Sequence, residues 1–258
     1  MSEPVVIVTG GSGDIGRAIA AALARTMRIV ITARRAATLE AVALAIAAES
    51  GRPVHSQCSD ALDQASIDAL VGDVMARFGR IDVLINCAAS TSSVAGDIEQ
   101  VEVDRLIADL DTKVGGYLRY VRAVAPVMKA RGAGRIVNIG GLTGRASETL
   151  SGMRNVAVSH LTKVLADQLG PHGIAVNAVH PGIVATPHLD EVFAGQALER
   201  GTTADVIEAE YVGQIPLRRI LGVEEIAGVV ALLAGPSLGA ITGQSITADA
   251  GYARGVYL

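Results

Sequence analysis

The sequence predicts an α/β fold in which a parallel sheet is covered by helices on both faces. Three observations predict it. Short β-branched runs alternate with longer helical patterns at the period of strand–helix–strand units. The runs are apolar throughout rather than alternating, as strands buried on both faces require. Hydrophobic residues make up 50% of the 258-residue chain while aromatics make up only 3%, so a sizeable core is built from Ala, Val, Leu and Ile.

In chain order, strands are expected over residues 5–9, 28–33, 54–59 and 81–86, and helical patterns over 15–26, 36–50, 63–78 and one long stretch, 101–131. Further strands fall at 135–140, 175–180 and 245–248, with helices at 152–169 and 224–234. The irregular part is 181–223, where two short helical patterns, 188–200 and 203–212, lie between Pro- and Gly-containing turns. Such an insertion after a strand's carboxyl end is a lid or substrate lobe, here assigned to about 183–223 within a single domain spanning 1–258. Its mix of Leu, Val, Phe, Ala and acidic residues suits a mostly apolar small molecule.

Several classes of function are disfavoured by composition. A net charge of −4 with no basic block lacks the phosphate attraction that drives nucleic-acid binding. The longest apolar stretch, 226–235, is far short of the ~18 residues that suggest a membrane span, and no signal-peptide pattern opens the chain. Neither a nucleic-acid nor a membrane partner is expected. Cys58 and Cys87 lack a C-x-x-C spacing, so they read as buried free thiols in a reducing cytoplasm. No metal-ligand cluster and no Ser/His/Asp arrangement appears at usable spacing.

The first strand runs directly into Thr9, Gly10, Gly11, Ser12, Gly13, Asp14, Ile15 and Gly16, and then a helix. Glycines permit a tight turn and let backbone N–H groups approach a pyrophosphate at the positive end of the helix. A strand–turn–helix unit followed by a second strand is the context that gives such a motif meaning. The second strand ends in Ala33, Arg34 and Arg35. An acidic residue there would bond the adenosine ribose hydroxyls and repel a 2′-phosphate. Two arginines do the opposite, which favours NADP(H) over NAD(H).

With these motifs the chain resembles the short-chain dehydrogenase/reductase family over essentially its whole length. The matching pieces are Thr9–Gly16; Asp60 after the third strand; Asn86-Cys87-Ala88-Ala89 for the family's Asn-Asn-Ala-Gly; Pro181-Gly182 with Thr186; and Ile241-Thr242-Gly243-Gln244. The resemblance implies a single doubly wound Rossmann domain with a seven-stranded sheet, often tetrameric, that transfers hydride between NAD(P) and a carbonyl, alcohol or related group. It also implies that Asp60 contacts adenine and that Pro181, Gly182 and Thr186 hold the nicotinamide carboxamide. Asp14 stands where the family's classical members have the middle glycine, while Gly10, Gly13 and Gly16 also fit the extended-type spacing; Asp14 stands near the phosphates or caps the helix.

Family carbonyl reductases use an Asn on the fourth helix, a Ser after the fifth strand, and a Tyr-x-x-x-Lys on the next helix. Hydride delivery to a carbonyl makes an alkoxide that must be stabilised and protonated as it forms. Counting from flanking anchors, Gly144 among them, those positions fall on Lys113, Gly141, Ser151 and Asn155, so all four read as replaced. No Tyr lies between Tyr120 and Tyr211, so no local slip restores the phenol. Two changes look reciprocal, with the family's Asn becoming Lys113 and its Lys becoming Asn155, and the two side chains are expected to face each other. Because Gly141 and Ser151 are small, a roomier cavity is expected beside the nicotinamide.

Among other polar residues, Tyr117 shares a helix face with Lys113. His160 is expected to be a packed helix residue, His180 a strand-end residue, His188 to lie near the cleft, Tyr211 to pack the lobe, and Arg145 and Glu148 to be solvated. The functional reading is an NADP(H)-dependent oxidoreductase with an atypical site, reducing an activated C=C, C=N or carbonyl bond of a small apolar substrate. The competing reading is a non-catalytic homologue, either a cofactor-binding sensor or a structural subunit. The resemblance implies a homotetramer or homodimer, with a hetero-oligomer with an active paralogue as the alternative, and the helix over 152–169 carries more apolar positions than one core-facing stripe needs, which fits a second buried face.

Overall fold

In a computed structural model, which describes residues 3–89, 94–142 and 149–255, the chain forms one seven-stranded parallel sheet in the order β3-β2-β1-β4-β5-β6-β7. The strands are β1 (Val5–Thr9), β2 (Arg28–Thr32), β3 (Val54–Ser56), β4 (Val83–Asn86), β5 (Gly134–Ile139), β6 (Ile174–Pro181) and β7 (Ser245–Ala248). The helices are α1 (Asp14–Ala24), α2 (Ala36–Ser50), α3 (Gln64–Phe78), α4 (Val103–Leu110), α5 (Gly116–Arg131), α6 (Gly152–Leu169), α7 (Pro187–Arg200), α8 (Ala204–Gln214) and α9 (Val223–Ala234). Every expected element except the single helix over 101–131 is present as one element, with ends shifted by one to three residues in most cases.

Alternate residues of each strand point to opposite faces, and both faces are dry. Val6, Val8, Ile29, Ile31 and Val179 pack against Ile19 and Leu23 of α1, Leu39 and Ile46 of α2, and Ile226 and Val230 of α9. On the other face Val5, Ile7, Leu84, Ile136 and Val176 pack against Leu70 and Val74 of α3, Val124 and Met128 of α5, and Leu165 and Leu169 of α6. Local signals set the helix ends. Asp63 caps α3 by accepting from the Ala65 N–H at 2.9 Å, and Gly79 ends the helix in the left-handed region at φ +70°.

The predicted single helix over 101–131 is in fact two, α4 and α5, joined by a π turn over Asp111–Gly115. One extra residue per turn rotates everything before it around the axis, which hydrophobic periodicity over so short a window does not register. The turn is where Lys113 enters the interior. The lobe between β6 and β7 carries its own small core, Phe193, Ala197 and Ile207, with the Tyr211 ring 5.2 Å from that of Phe193.

The sheet order reverses between β1 and β4, so a crevice opens outside their carboxyl ends, where doubly wound folds bind ligands. The loops after β1, β4, β5 and β6 all arrive at that edge. No helix among the described residues is long and apolar enough to cross a membrane.

Candidate active site

The glycine loop after β1 is held by its own backbone. Gly10 adopts φ +64°, and its carbonyl accepts from the Gly13 N–H at 3.0 Å. A Cβ on Gly16 would lie 2.3 Å from that carbonyl, and one on Gly10 would lie 2.8 Å from Ala88 Cα. No side chain fits at either position, so α1 starts pressed against the loop after β4. Thr9 Oγ1 ties the two together by accepting from the N–H groups of Cys87 (3.0 Å) and Ala88 (3.1 Å).

Gly13 is the N-cap of α1 and makes no side-chain cap bond, and Asp14 is the first helical residue, exposed. Asp14 therefore does not cap the helix: a cap side chain must sit one residue earlier to reach back over the first turn. Ser12 and Ile15 are partly exposed beside it. The uncapped, glycine-lined helix start has the donors and space that a pyrophosphate requires, so this end fits a dinucleotide. Arg34 and Arg35 come directly after β2 at the same edge, exposed, and neither side chain makes a hydrogen bond or ion pair to a described residue.

Asp60 accepts from the Leu62 N–H at 3.0 Å and remains partly exposed after β3. Asn86 is fully buried, its amide nitrogen donating to Asn138 Oδ1 at 2.9 Å. Its side chain thus joins β4 to β5, and the chain reaches the crevice through the next stretch, Cys87–Ala89. Gly182 packs so closely on Asp249 that a Cβ would lie 2.6 Å from its Cα, and Thr186 caps α7 by accepting from the Leu189 N–H at 3.3 Å.

The four positions read as the family's catalytic ones converge at the carboxyl end of β5. Lys113 is 4% exposed, and its ammonium donates to Gly140 O at 2.8 Å and Asn155 Oδ1 at 2.9 Å. The expected pairing of Lys113 with Asn155 is a direct hydrogen bond. Burial, and next the Arg154 guanidinium, push the Lys113 amine down to about 7, against the opposing pull of Cys87 and Asp109. Arg154 of α6 is itself paired with the buried Asp109 of α4. Ser151, also buried, accepts from the Val94 N–H at 2.8 Å.

The expectation of a roomier cavity fails at Gly141. A Cβ there would meet Asn155 Nδ2 at 2.8 Å, so the Asn155 amide already occupies the space that a larger residue 141 would use. The neighbouring Gly140 is likewise matched to His180, whose ring would lie 2.2 Å from an added Cβ. His180 is buried at the end of β6, with Nδ1 3.2 Å from the Gly141 N–H and Nε2 3.0 Å from Ser159 Oγ. Nδ1 also lies 3.3 Å from Gly141 O, so the ring is tied to both backbone groups of residue 141.

The other polar residues sort quickly. Tyr117 is buried and spends its hydroxyl on Ile139 O at 2.9 Å, with burial holding its pKa well above the ordinary value. His160 is exposed, contrary to expectation, because it falls on the solvent side of α6. His188 is exposed near Glu191, and Tyr211 accepts from Gln196 Nε2 at 3.0 Å inside the lobe. Gly144, Arg145 and Glu148 lie outside the described residues. Sequence reasoning missed Asp109, Arg154 and Ser159; the spacing of four from Asp109 to Lys113 was the available signal.

Both cysteines are free, but Cys58 is exposed rather than buried because β3 stops at Ser56. Burial pushes the Cys87 thiol up to about 12. Iodoacetamide at pH 8 is expected to modify Cys58 and spare Cys87 in the folded protein, read by peptide mass spectrometry; equal modification would show that Cys87 is open to solvent.

A doubly wound sheet with a glycine-lined helix start at its switch point, and a lysine–asparagine pair at the end of β5, defines a dinucleotide-binding α/β protein. The chain belongs to the short-chain dehydrogenase/reductase family: the family model described as enoyl-(acyl carrier protein) reductase matches residues 11–253. It is 36% identical to the short-chain reductase protein NovJ of Streptomyces niveus, over 96% of this chain and 94% of that one. It is 34% identical to a monensin polyketide synthase putative ketoacyl reductase of Streptomyces virginiae, covering 96% of each. Among solved structures, an actinorhodin polyketide ketoreductase with NADPH superposes with a TM-score of 0.91 at 28% identity, covering 98% of each chain. YwfH, an NADPH-dependent reductase involved in bacilysin biosynthesis, superposes with a TM-score of 0.90 at 28% identity, covering 99% of this chain and all of the other.

Proposed function

We propose that this chain is an NADP(H)-dependent oxidoreductase with an atypical active site, reducing an activated C=C, C=N or carbonyl bond of a small, mostly apolar substrate. The observation that carries this reading is the pair Arg34 and Arg35, exposed and unpaired with described residues, next to the open start of α1. Cationic forks at that place suit a 2′-phosphate. Relatives named as NADPH-dependent or as ketoreductases support it.

Bound NADPH would supply the hydride, and the chain's residues would place it. Gly10, Gly13 and Gly16 with Ser12 and Ile15 would seat the pyrophosphate, Asp60 would face the adenine, and Pro181, Gly182 and Thr186 would meet the carboxamide. At the chemical end we read the family's four catalytic residues as replaced by Lys113, Gly141, Ser151 and Asn155. Losing a positioned acid costs about 10²–10⁴ in rate, which directs the activity to bonds that need less help from a phenol. The lobe over 183–223, held together by its Phe193–Tyr211 core, would cover the substrate.

The test is a titration with NADPH and with NADH, followed by a screen of enones, imines and ketones. Saturable binding with NADPH preferred is expected, and Arg34→Glu with Arg35→Glu should weaken NADPH by about tenfold or more while sparing NADH. Binding of neither nucleotide would overturn the reading. A second reading, a non-catalytic subunit of a homo- or hetero-oligomer, is favoured by the exposed Val103 and Ile107 of α4, Leu118 of α5, and Met153 and Val156 of α6. Light scattering separates a self-associating dimer or tetramer from a monomer that gains mass only with an active paralogue.

A further inference from the structure

We propose that Tyr120 of α5 is a positioning residue for cofactor choice: through Ser59 and Thr32 it fixes the two loop starts that would hold the adenine and the 2′-phosphate, and so sets the preference for NADPH over NADH. This rests on the NADP(H) reading above and places part of that preference outside Arg34 and Arg35. Three hydroxyls form a buried line at the carboxyl edge of the sheet. Thr32 Oγ1, at the end of β2, lies 2.7 Å from Ser59 Oγ, and Ser59 Oγ lies 2.5 Å from the Tyr120 hydroxyl. Thr32, Ser59 and Tyr120 are 0%, 5% and 2% exposed, so a hydroxyl that loses its partner has little access to water.

The line adjoins the groups that would read the nucleotide. Arg34 follows Thr32 by two residues, and Asp60 comes directly after Ser59. Backbone bonds carry the pairing of β2 and β3 past the strand ends, from the Gln57 N–H to Ile31 O at 3.1 Å and from the Ser59 N–H to Ala33 O at 3.3 Å. The second is the longer, and the hydroxyl line joins the two segments where this pairing weakens. The Thr32 carbonyl also accepts from the Gly11 N–H at 3.1 Å, so the same residue steadies the glycine loop. α5 supports the loop after β3 at two further points. Arg119 donates to Ala61 O at 3.0 Å, and Gly116 lets the helix approach until an added Cβ would meet Ala61 Cβ at 2.8 Å. Burial raises the pKa of the Tyr120 phenol, and the Asp60 carboxylate adds to the effect, so the group stays a neutral hydroxyl. NADH would use the adenine contact alone. NADPH would meet Asp60 and the arginines at once, so a change in their separation falls on NADPH.

The experiment titrates NADPH and NADH separately into the full chain by calorimetry. Tyr120→Phe and Thr32→Val each remove one hydroxyl at nearly constant shape. Each should lower the ratio of NADPH to NADH affinity by about three- to tenfold, the worth of one hydrogen bond. Thr32→Ser keeps the hydroxyl and should leave the ratio within about twofold of the parent's. Tyr120→Phe and Thr32→Val combined should lower the ratio by less than the product of the two single effects, because both act on one line. A purely structural role would weaken both nucleotides alike, or lower the melting temperature with the ratio unchanged. A ratio that falls by less than about threefold in either variant lacking a hydroxyl, or a Thr32→Ser ratio outside about twofold, overturns the proposal. If Tyr120→Phe does not fold, the two Thr32 variants decide. A parent protein that binds neither nucleotide, or both equally, overturns the NADP(H) reading instead, and the role of Tyr120 with it.

Discussion

Placing the family's four residues at the positions we propose to be catalytic, by Lys113→Asn, Gly141→Ser, Ser151→Tyr and Asn155→Lys together, is expected to raise NADPH-dependent reduction of a simple ketone by about 10²–10⁴. The size comes from placing a phenolic acid and a hydroxyl donor at the positions we propose to be the catalytic ones. The same experiment should be strongly non-additive. Gly141→Ser alone places a Cβ 2.8 Å from the Asn155 amide nitrogen, and that amide is held by Lys113 at 2.9 Å, so the serine and the Asn155–Lys113 pair compete for one space and neither is ordered. Adding Asn155→Lys removes the amide, and Lys113→Asn removes the charge that a new lysine would meet. The quadruple variant should exceed the parent while the Gly141→Ser single variant falls below it. A quadruple variant that folds and binds NADPH but reduces ketones no faster than the parent would refute the assignment of these positions.

The second large effect concerns stability. Lys113 titrates near 10.5 when unfolded and is pushed down to about 7 in the folded chain, chiefly by burial and then by Arg154. Below about pH 7 both states hold the proton, and the full cost of burying the charge is present. Between about 7 and 10.5 the unfolded chain holds a proton that the folded chain has lost, so stability rises with pH at up to ~1.4 kcal/mol per unit. Lys113→Met removes this slope. From pH 7 to 9 the parent should therefore gain about 2–3 kcal/mol relative to the variant, measured by urea unfolding at each pH. At any single pH the variant also leaves Gly140 O and Asn155 Oδ1 without their donor, a cost of about 1–3 kcal/mol each, which is why the pH dependence and not the absolute value isolates the lysine. A parallel pH dependence in the two proteins would show that Lys113 keeps its charge on folding to well above pH 7.

Sequence alone determined the strands and helices, the glycine turn before α1, the arginine pair after β2, and the lack of a tyrosine between Tyr120 and Tyr211. Each of these is written within a few consecutive residues, as a hydrophobic period, a turn residue or an absence. What only the tertiary structure decided lies between segments distant in the chain. Lys113 and Asn155 are 42 residues apart and meet because α6 and the π turn both pack against the end of β5. The reciprocal exchange of residue types hinted at that contact, but not that the Asn155 amide would fill the space beside Gly141. The π turn itself was hidden because the helical stretch before it, Val103–Leu110, is too short for its apolar spacing to reveal a change of phase. The exposure of Cys58 and His160 was misjudged for a related reason: burial depends on where β3 stops and which side of α6 is covered, and neither is a property of neighbouring residues.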